Sequence, residues 1–431
     1  MIPDTILEVF NNCIQFVCSN IACYCKDPVS NFTRKRKLDP FTLIHLILQL
    51  QVKSVNSELC DYFDDCDSLP SASAFCQQRE KLDADIFQRI SDLFLNAFHD
   101  FKTWNGYHIL ACDGSDVNIA FDKNDKETFR QNGNSKPFSQ LHINCIYDCL
   151  NHVYWDTSID TATKKRECDA LIEMIINHKF PYNAILTMDR GYEKFNLIAF
   201  CIENKQKFLI RTKDIHSYSS ILSNIGLPDE EFDLDIHKVL TRLQTNEVKQ
   251  NKNKYTFISN KQTFDYFDQD GFYDLKLRVV RFKITEDTYE CLVTNLSRDE
   301  FGLKDLKEMY HMRWNIETSF KKLKYTVGMM SFHSKKRKFI HQEIYASILL
   351  YNLSNVVAQQ IEIPSDSKTK YEMKINYSTA LTNIRKWLKK NISTKELIKR
   401  LKKYLVPIRP DRKYKRNMKP KSVVPFINKA S

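Results

Sequence analysis

Glycine is scarce in this chain of 431 residues, which has only 8. No G-x-G-x-x-G or G-x-x-x-x-G-K-[ST] run occurs, so a glycine-rich loop cradling a nucleotide phosphate is excluded as the basis of function. The 13 cysteines are odd in number and form no C-x-x-C pair. Cys23 and Cys25 stand one residue apart, and Cys60 and Cys66 are too isolated to complete a zinc set. They read as free, mostly buried thiols of a reducing compartment. A long apolar run is also missing. Ile344 to Ile363 comes nearest, and Asn352, Asn355, Gln359 and Gln360 interrupt it, which argues against a membrane span. The opening MIPDTILEVF puts Asp4 and Glu8 where a secretory leader needs basic residues. The expectation is a cytoplasmic protein with no membrane partner.

What the chain does have is positive charge. Lys and Arg number 65 against 53 Asp and Glu, a formal net charge of +12. Such an excess fits an anionic partner, nucleic acid first among them, and fits equally a surface that is merely well solvated. Hydrophobic residues make up 42%, a globular proportion. The length suggests roughly two to four domains.

Residues 1–105 read as helical. Phe41 to Val52 is an apolar run preceded by the basic cluster Arg34, Lys35, Arg36 and Lys37. A further helix starts near Ser71 or Ser73 and runs through Phe75, Arg79 and Leu82. Another starts at Asp83 or Asp85 and carries Ile86, Ile90, Leu93 and Phe94. This region is either a small DNA-binding domain or a helical cap on the core formed by later residues.

From about 107 the pattern changes to strands. HILACDGSDV, FSQLHINCIYD and HVYWDTSID resemble a three-strand meander. A helix over Glu167 to His178, the strand in AILTMDRGY, a helix over Glu193 to Asn204 and the strand KFLIRTK come next. Strand, strand, strand, helix, strand, helix, strand is the order of a ribonuclease H-like fold, an α/β mixed sheet flanked by helices. The chain therefore divides into a helical N-terminal domain (1–105), a first part of the ribonuclease H-like core (106–213), a strand-rich insertion (214–300), a helical remainder of the core (301–405) and a basic C-terminal tail (406–431).

Phosphodiester chemistry needs metal ions where the attacking and leaving oxygens carry charge, and a few convergent carboxylates to hold them. Asp113 ends the first strand and Asp189 the fourth, which are neighbours in this fold. Bare carboxylates that close raise one another's pKa, and a cation removes the penalty. Each Asp alone also reads as a turn former or helix cap. Asp116, Asp148, Asp156 and Asp160 look similar locally and are taken as turn or surface acids, with Asp116 the best substitute.

The third acid lies on a helix. Tyr310, Arg313, Glu317 and Lys324 fall at about 0°, 300°, 340° and 320° around one axis, an arc of ~60°. Met309, Ile316, Phe320, Leu323 and Val327 cluster near ~220–280° and form the docking stripe. From position, Glu317 completes a metal site with Asp113 and Asp189. Arg313 orients Glu317 or holds a phosphate, and Tyr310 hydrogen-bonds a phosphate. Lys324, about 10 Å further along the axis, is assigned to DNA backbone. The alternative is a surface helix with Arg313–Glu317 and Glu317–Lys321 ion pairs. Trp314 and Tyr325 flank the site, and a Trp here is more often packing than a base-stacking device.

Together these residues resemble the DDE transposases of the insertion-sequence-four family. Tyr310, Arg313, Glu317 and Lys324 match a Tyr-x2-Arg-x3-Glu-x6-Lys signature at every spacing. Asp113-Gly114-Ser115 and Asp189-Arg190-Gly191-Tyr192 match its two Asp motifs. The resemblance covers roughly residues 30 to 425, including the Ser71 to Arg79 segment and the basic tail. It implies that Asp113, Asp189 and Glu317 are catalytic and bind two Mg2+ or Mn2+ ions. It also implies that Tyr310, Arg313, Lys324, Arg190 and Lys321 contact DNA. The implied partners are double-stranded DNA, as element terminal inverted repeats and as target, and a second copy of the chain in a homodimer on DNA. The implied reaction is nicking at element ends followed by attack of the freed 3′-hydroxyl on target DNA, with the protein nucleoid-associated when bound.

Overall fold

Five α-helices precede the first strand in the computed structural model, which describes residues 3–409 apart from 64–68, 132, 135, 165, 224, 287 and 364–370. They are α1 (Pro3–Ser19), α2 (Pro40–Gln49), α3 (Val55–Tyr62), α4 (Ala72–Lys81) and α5 (Asp85–Asn96). Their starts obey local chemistry. Asp39 accepts from Thr42 N at 2.7 Å with Pro40 at the first helical position, and Ser71 accepts from Ala74 N at 3.1 Å. The basic cluster Arg34 to Lys37 is exposed. Most of the basic tail, with Arg412, Lys413, Lys415, Arg416, Lys419 and Lys421, lies outside the described residues.

The sheet begins with β1 (His108–Ile119), β2 (Phe129–Arg130), β3 (Phe138–Asp148) and β4 (Val153–Thr161). Helix α6 (Glu167–Asn177), β5 (Ala184–Met188), α7 (Phe195–Glu203) and β6 (Lys207–Thr212) come after them. The spatial order is β4-β3-β1-β5-β6. β1 runs antiparallel to β3 and parallel to β5, and β5 runs parallel to β6. This is the ribonuclease H-like arrangement expected from the element order.

The region anticipated as an insertion does not stand apart from this sheet. It contains β7 (Phe232–Thr241), α8 (Asn246–Gln250), β8 (Tyr255–Phe257), β9 (Phe272–Thr285) and β10 (Thr288–Thr294). β10 pairs antiparallel with β6, and β9, β7 and β8 extend the sheet beyond it. The physical reason is edge protection: without β10, β6 would expose a row of unpaired backbone N–H and C=O groups.

The chain then returns through α9 (Leu303–Met312), α10 (Trp314–Lys321), a π-helical turn (Lys322–Val327) and α11 (Arg337–Gln359). β11 (Met373–Ile375), α12 (Tyr377–Leu388), α13 (Thr394–Lys403) and β12 (Leu405–Pro407) complete it. The small β11–β12 pair is an addition to the helix-dominated reading of this stretch. Met309, Ile316, Phe320, Leu323 and Val327 are all buried, as the stripe required.

Helix α11 is the hub on one side of the sheet. Its asparagines, which break the apolar run in sequence, make buried hydrogen bonds. Asn352 accepts from Tyr154 N at 2.8 Å and donates to Tyr154 O at 2.8 Å, standing in for a further strand on the open edge of β4. The N-terminal helices dock on the same helix. Arg79 is buried, donating to Gln342 at 2.7 Å and pairing with Glu343 at 2.9 Å. His333 approaches Glu343 at 3.1 Å and Glu58 at 3.6 Å, so the N-terminal helices and α11 share one polar network inside one core.

Candidate active site

Two acids are placed by strand register. In the parallel β1–β5 pair, Ala111 faces Thr187 and Cys112 faces Met188. Asp113 and Asp189 are the next residues of the two segments and so stand at the same level. β5 ends at Met188, but β1 does not end at Asp113 as expected, because pairing with β3 carries it on to Ile119. Asp113 Oδ1 accepts from Gly114 N at 2.8 Å, and Asp189 Oδ1 accepts from Gly191 N at 2.7 Å. Burial pushes the Asp113 carboxyl up to about 6, and the charges of Asp189 and Glu317 push the same way. Gly114 N–H and Arg313 oppose the shift. Asp189 and Glu317 therefore act on Asp113 electrostatically, with the sign expected of like charges brought near a buried carboxyl.

Arg313 ties the third acid to the first. It sits between α9 and α10, 3% exposed. Its Nη1 lies 3.5 Å from Asp113 Oδ2 and its Nη2 lies 3.1 Å from Glu317 Oε1. The two contacts differ in quality, the first being at the limit of hydrogen-bond distance. Among the described residues, no three His, Cys, Asp or Glu side chains stand close enough to share one ion. The guanidinium spans Asp113 and Glu317 instead. By chemistry the donor set still fits a hard divalent cation: it offers carboxylate oxygens only, and one carboxyl is pushed up by burial and, to a smaller extent, by its acidic neighbours.

Tyr310 and Lys324 depart from the expected arc. Tyr310 was expected to face phosphate, but it is 3% exposed and lies under Arg313, whose Cζ is 5.7 Å from its ring centroid. Burial raises its pKa, and Arg313 opposes this. Lys324 was assigned to DNA backbone on a regular helix. It lies in the π-helical turn, where the wider winding changes its direction. Its Nζ donates to Ser115 Oγ at 2.7 Å, two residues beyond Asp113 on β1. Burial lowers its pKa, with Asp116 opposing. Arg190 and Lys321 are exposed beside Asp189 and at the end of α10. Trp314, expected to pack, is 47% exposed, and Tyr325 is 70% exposed.

Three polar side chains next to the site were not picked from the sequence as a group. Asp116 Oδ1 lies 2.7 Å from His142 Nδ1, and Glu167 Oε1 lies 3.2 Å from His142 Nε2. Asp116, held as a substitute for Asp113, is thus engaged with His142. Its strand position gives the reason, since residues 113 and 116 point to opposite faces of β1.

The family model described as "Transposase DDE domain" matches residues 104–353. The transposase InsG for insertion sequence element IS4 of Escherichia coli (strain K12) is 22% identical over 316 residues, covering 71% of this chain and 65% of that protein. The putative transposase InsL for insertion sequence element IS186A of the same strain is 27% identical over 94 residues, covering 21% of this chain and 25% of that protein. The chain thus spans just under two thirds of the first relative's length and a quarter of the second's. Among solved structures, a piggyBac transposase synaptic complex with hairpin DNA aligns with a TM-score of 0.44 at 12% identity, covering 92% of this chain and 81% of that one.

Proposed function

Because the chain belongs to the transposase DDE domain family, we propose that it cuts DNA at the ends of an insertion sequence and joins the freed 3′-hydroxyl to target DNA. The observation that carries this reading is the bridge from Asp113 to Glu317 through Arg313, beside the turn that holds Asp189. In this reading Asp113, Asp189 and Glu317 hold two divalent cations, Mg2+ or Mn2+. Bound there, the ions supply positive charge to the attacking and leaving oxygens of the phosphodiester.

The chain's own residues divide the remaining work. Arg313 fixes the orientation of the Glu317 and Asp113 carboxylates. Lys324 and Ser115 form a polar pair beside Asp113 that can meet a phosphate oxygen. Exposed Arg190 and Lys321 give the backbone electrostatic contact, so binding weakens as salt rises. Tyr310 supports Arg313 from below. The division of labour gives the residues after 105 the chemistry and the helices of 1–105 a share in DNA binding. A second copy of the chain on paired element ends completes the proposal.

The test uses the full chain, Mg2+ and a duplex carrying the DNA that flanks the coding region, with a target plasmid. Wild type is expected to nick the flank junction and form joined product. Asp113→Asn, Asp189→Asn and Glu317→Gln are each expected to abolish both. Cleavage that persists in Glu317→Gln removes the catalytic assignment, and cleavage without joining makes the protein a nuclease.

A further inference from the structure

The polar groups at the end of β5 reach the sheet edge from both faces. Side chains alternate along β1. Asp113 and Ser115 turn toward Arg313 and Lys324, whereas Gly114 and Asp116 turn toward α6. On that second face His142, 1% exposed, has a carboxylate at each ring nitrogen: Asp116 at 2.7 Å and Glu167 at 3.2 Å. Glu167 is the first residue of α6.

The two oxygens of Glu167 lie near Gly114, which follows Asp113 inside β1, and near Gly191, in the turn after Asp189. A methyl group built on Gly114 would lie 2.9 Å from Glu167 Oε1 and collide with the His142 ring. One built on Gly191 would lie 3.6 Å from Glu167 Oε2 and 2.9 Å from Asp189 Oδ1. A Cβ at Gly114 would intrude on His142 and Glu167, whereas one at Gly191 would crowd Asp189 and make only ordinary contact with Glu167.

We propose that Glu167 is a fourth carboxylate ligand of the divalent-cation centre and that His142, braced by Asp116, is the residue that positions it. This rests on the reading of Asp113, Asp189 and Glu317 as metal ligands. The reasoning is electrostatic. A further negative charge beside Asp189 adds repulsion that one histidine, shared with Asp116, offsets only in part. A cation between β1 at Asp113 and the turn after Asp189 offsets it and would be grasped from both faces of the sheet, by Glu317 from α10 and by Glu167 from α6. A glutamate serving only to hold the fold would do equally well as glutamine, which keeps the polar contact with His142 and removes the repulsion.

That contrast supplies the test. Mn2+ is titrated into the metal-free full-length protein and followed by electron paramagnetic resonance, with thermal unfolding of the same samples. Glu167→Gln is expected to weaken Mn2+ binding at least ~10-fold, and His142→Gln to weaken it in the same range, as loss of a ligand or its support does at metal sites. Metal-free Glu167→Gln is expected to melt no lower than wild type. Wild-type Mn2+ affinity in Glu167→Gln overturns the proposal. So does a metal-free melting temperature that falls in step with the binding loss, because a purely structural role predicts that. Asp113→Asn separates the two levels. If it loses Mn2+ while Glu167→Gln keeps it, only this proposal fails. If Asp113→Asn binds as wild type does, the metal reading of the whole centre fails with it.

Discussion

Helices α10 and α6 each bring one glutamate toward the same edge of the sheet, from opposite faces. Glu317 has its partner Arg313 on its own helical path, four residues earlier, at 3.1 Å. Glu167 has its partner His142 on a different element, the strand β3, at 3.2 Å. The first pair is set by helical periodicity, which a sequence displays. The second is set by which residues of a sheet face a helix packed on it, which a sequence displays only after the register is known. Two carboxylates with similar surroundings therefore differ greatly in how visible they are before the chain folds.

The comparison can be broken most directly at the two glutamates. Glu317→Gln is expected to lower metal-supported DNA cleavage on the order of 10³-fold, the scale of losing several kcal/mol of charge stabilisation. Glu167→Gln is expected to lower it by about 10–100-fold, with much of the loss recovered at high Mn2+. Single-turnover cleavage across a metal titration measures both. Equal and unrecoverable losses would make the two faces chemically equivalent.

Arg313→Lys probes the α10 face next. A lysine cannot span Asp113 and Glu317 as the guanidinium does. Loss of one charge-assisted contact, about 1.5–3 kcal/mol, corresponds to a fall in cleavage of roughly 10–100-fold. An unchanged rate would reduce Arg313 to a point charge.

Gly114→Ala probes the α6 face through stability. Its new methyl meets buried His142 and Glu167, and overpacking of this kind costs about 1–3 kcal/mol. A melting temperature lower by several degrees is expected. Ser115→Ala, one residue along and on the other face, adds no atoms and is expected to cost only the contact with Lys324, up to about 1.5–3 kcal/mol. If both proteins melt as wild type does, His142 has room that the packing denies.

The smallest effect is expected at Lys324. If it contacts a phosphate, Lys324→Ala makes the slope of log binding constant against log salt shallower by about 0.9. Binding measured from low to moderate salt gives that slope. An unaltered slope would assign Lys324 wholly to Ser115 and the strand that bears Asp113.

Much of the fold was legible before the structure. The order of strands and helices from 108 to 212 came from alternation and apolar runs, and the observed strand pairing agrees with it. The docking stripe of α9, α10 and the turn after them was legible as well, because burial of a helix face leaves a period of 3.6. The direction of Lys324 was not, since a regular helix was assumed through residues that wind as a π turn. The attachment of β10 to β6 was not legible either. Strand character is local, but the choice of partner depends on which edge is open. The buried Arg79–Glu343 pair escaped for a similar reason, as it joins positions 264 residues apart.

The sequence by itself determined the position of Asp189 at a strand end, of Asp113 on a strand, though not that this strand runs on to Ile119, and of Arg313 and Glu317 one helical turn apart. Those are consequences of short-range geometry, a period of two along a strand and of 3.6 along a helix. Only the tertiary structure decided that Arg313 would reach Asp113 across 200 positions and that Lys324 would turn onto Ser115. It likewise decided that His142 would set Glu167 over Gly114 and Gly191. Each of these depends on sheet register and on the packing of helices against the two faces, and long-range packing leaves no periodic trace in the order of residues.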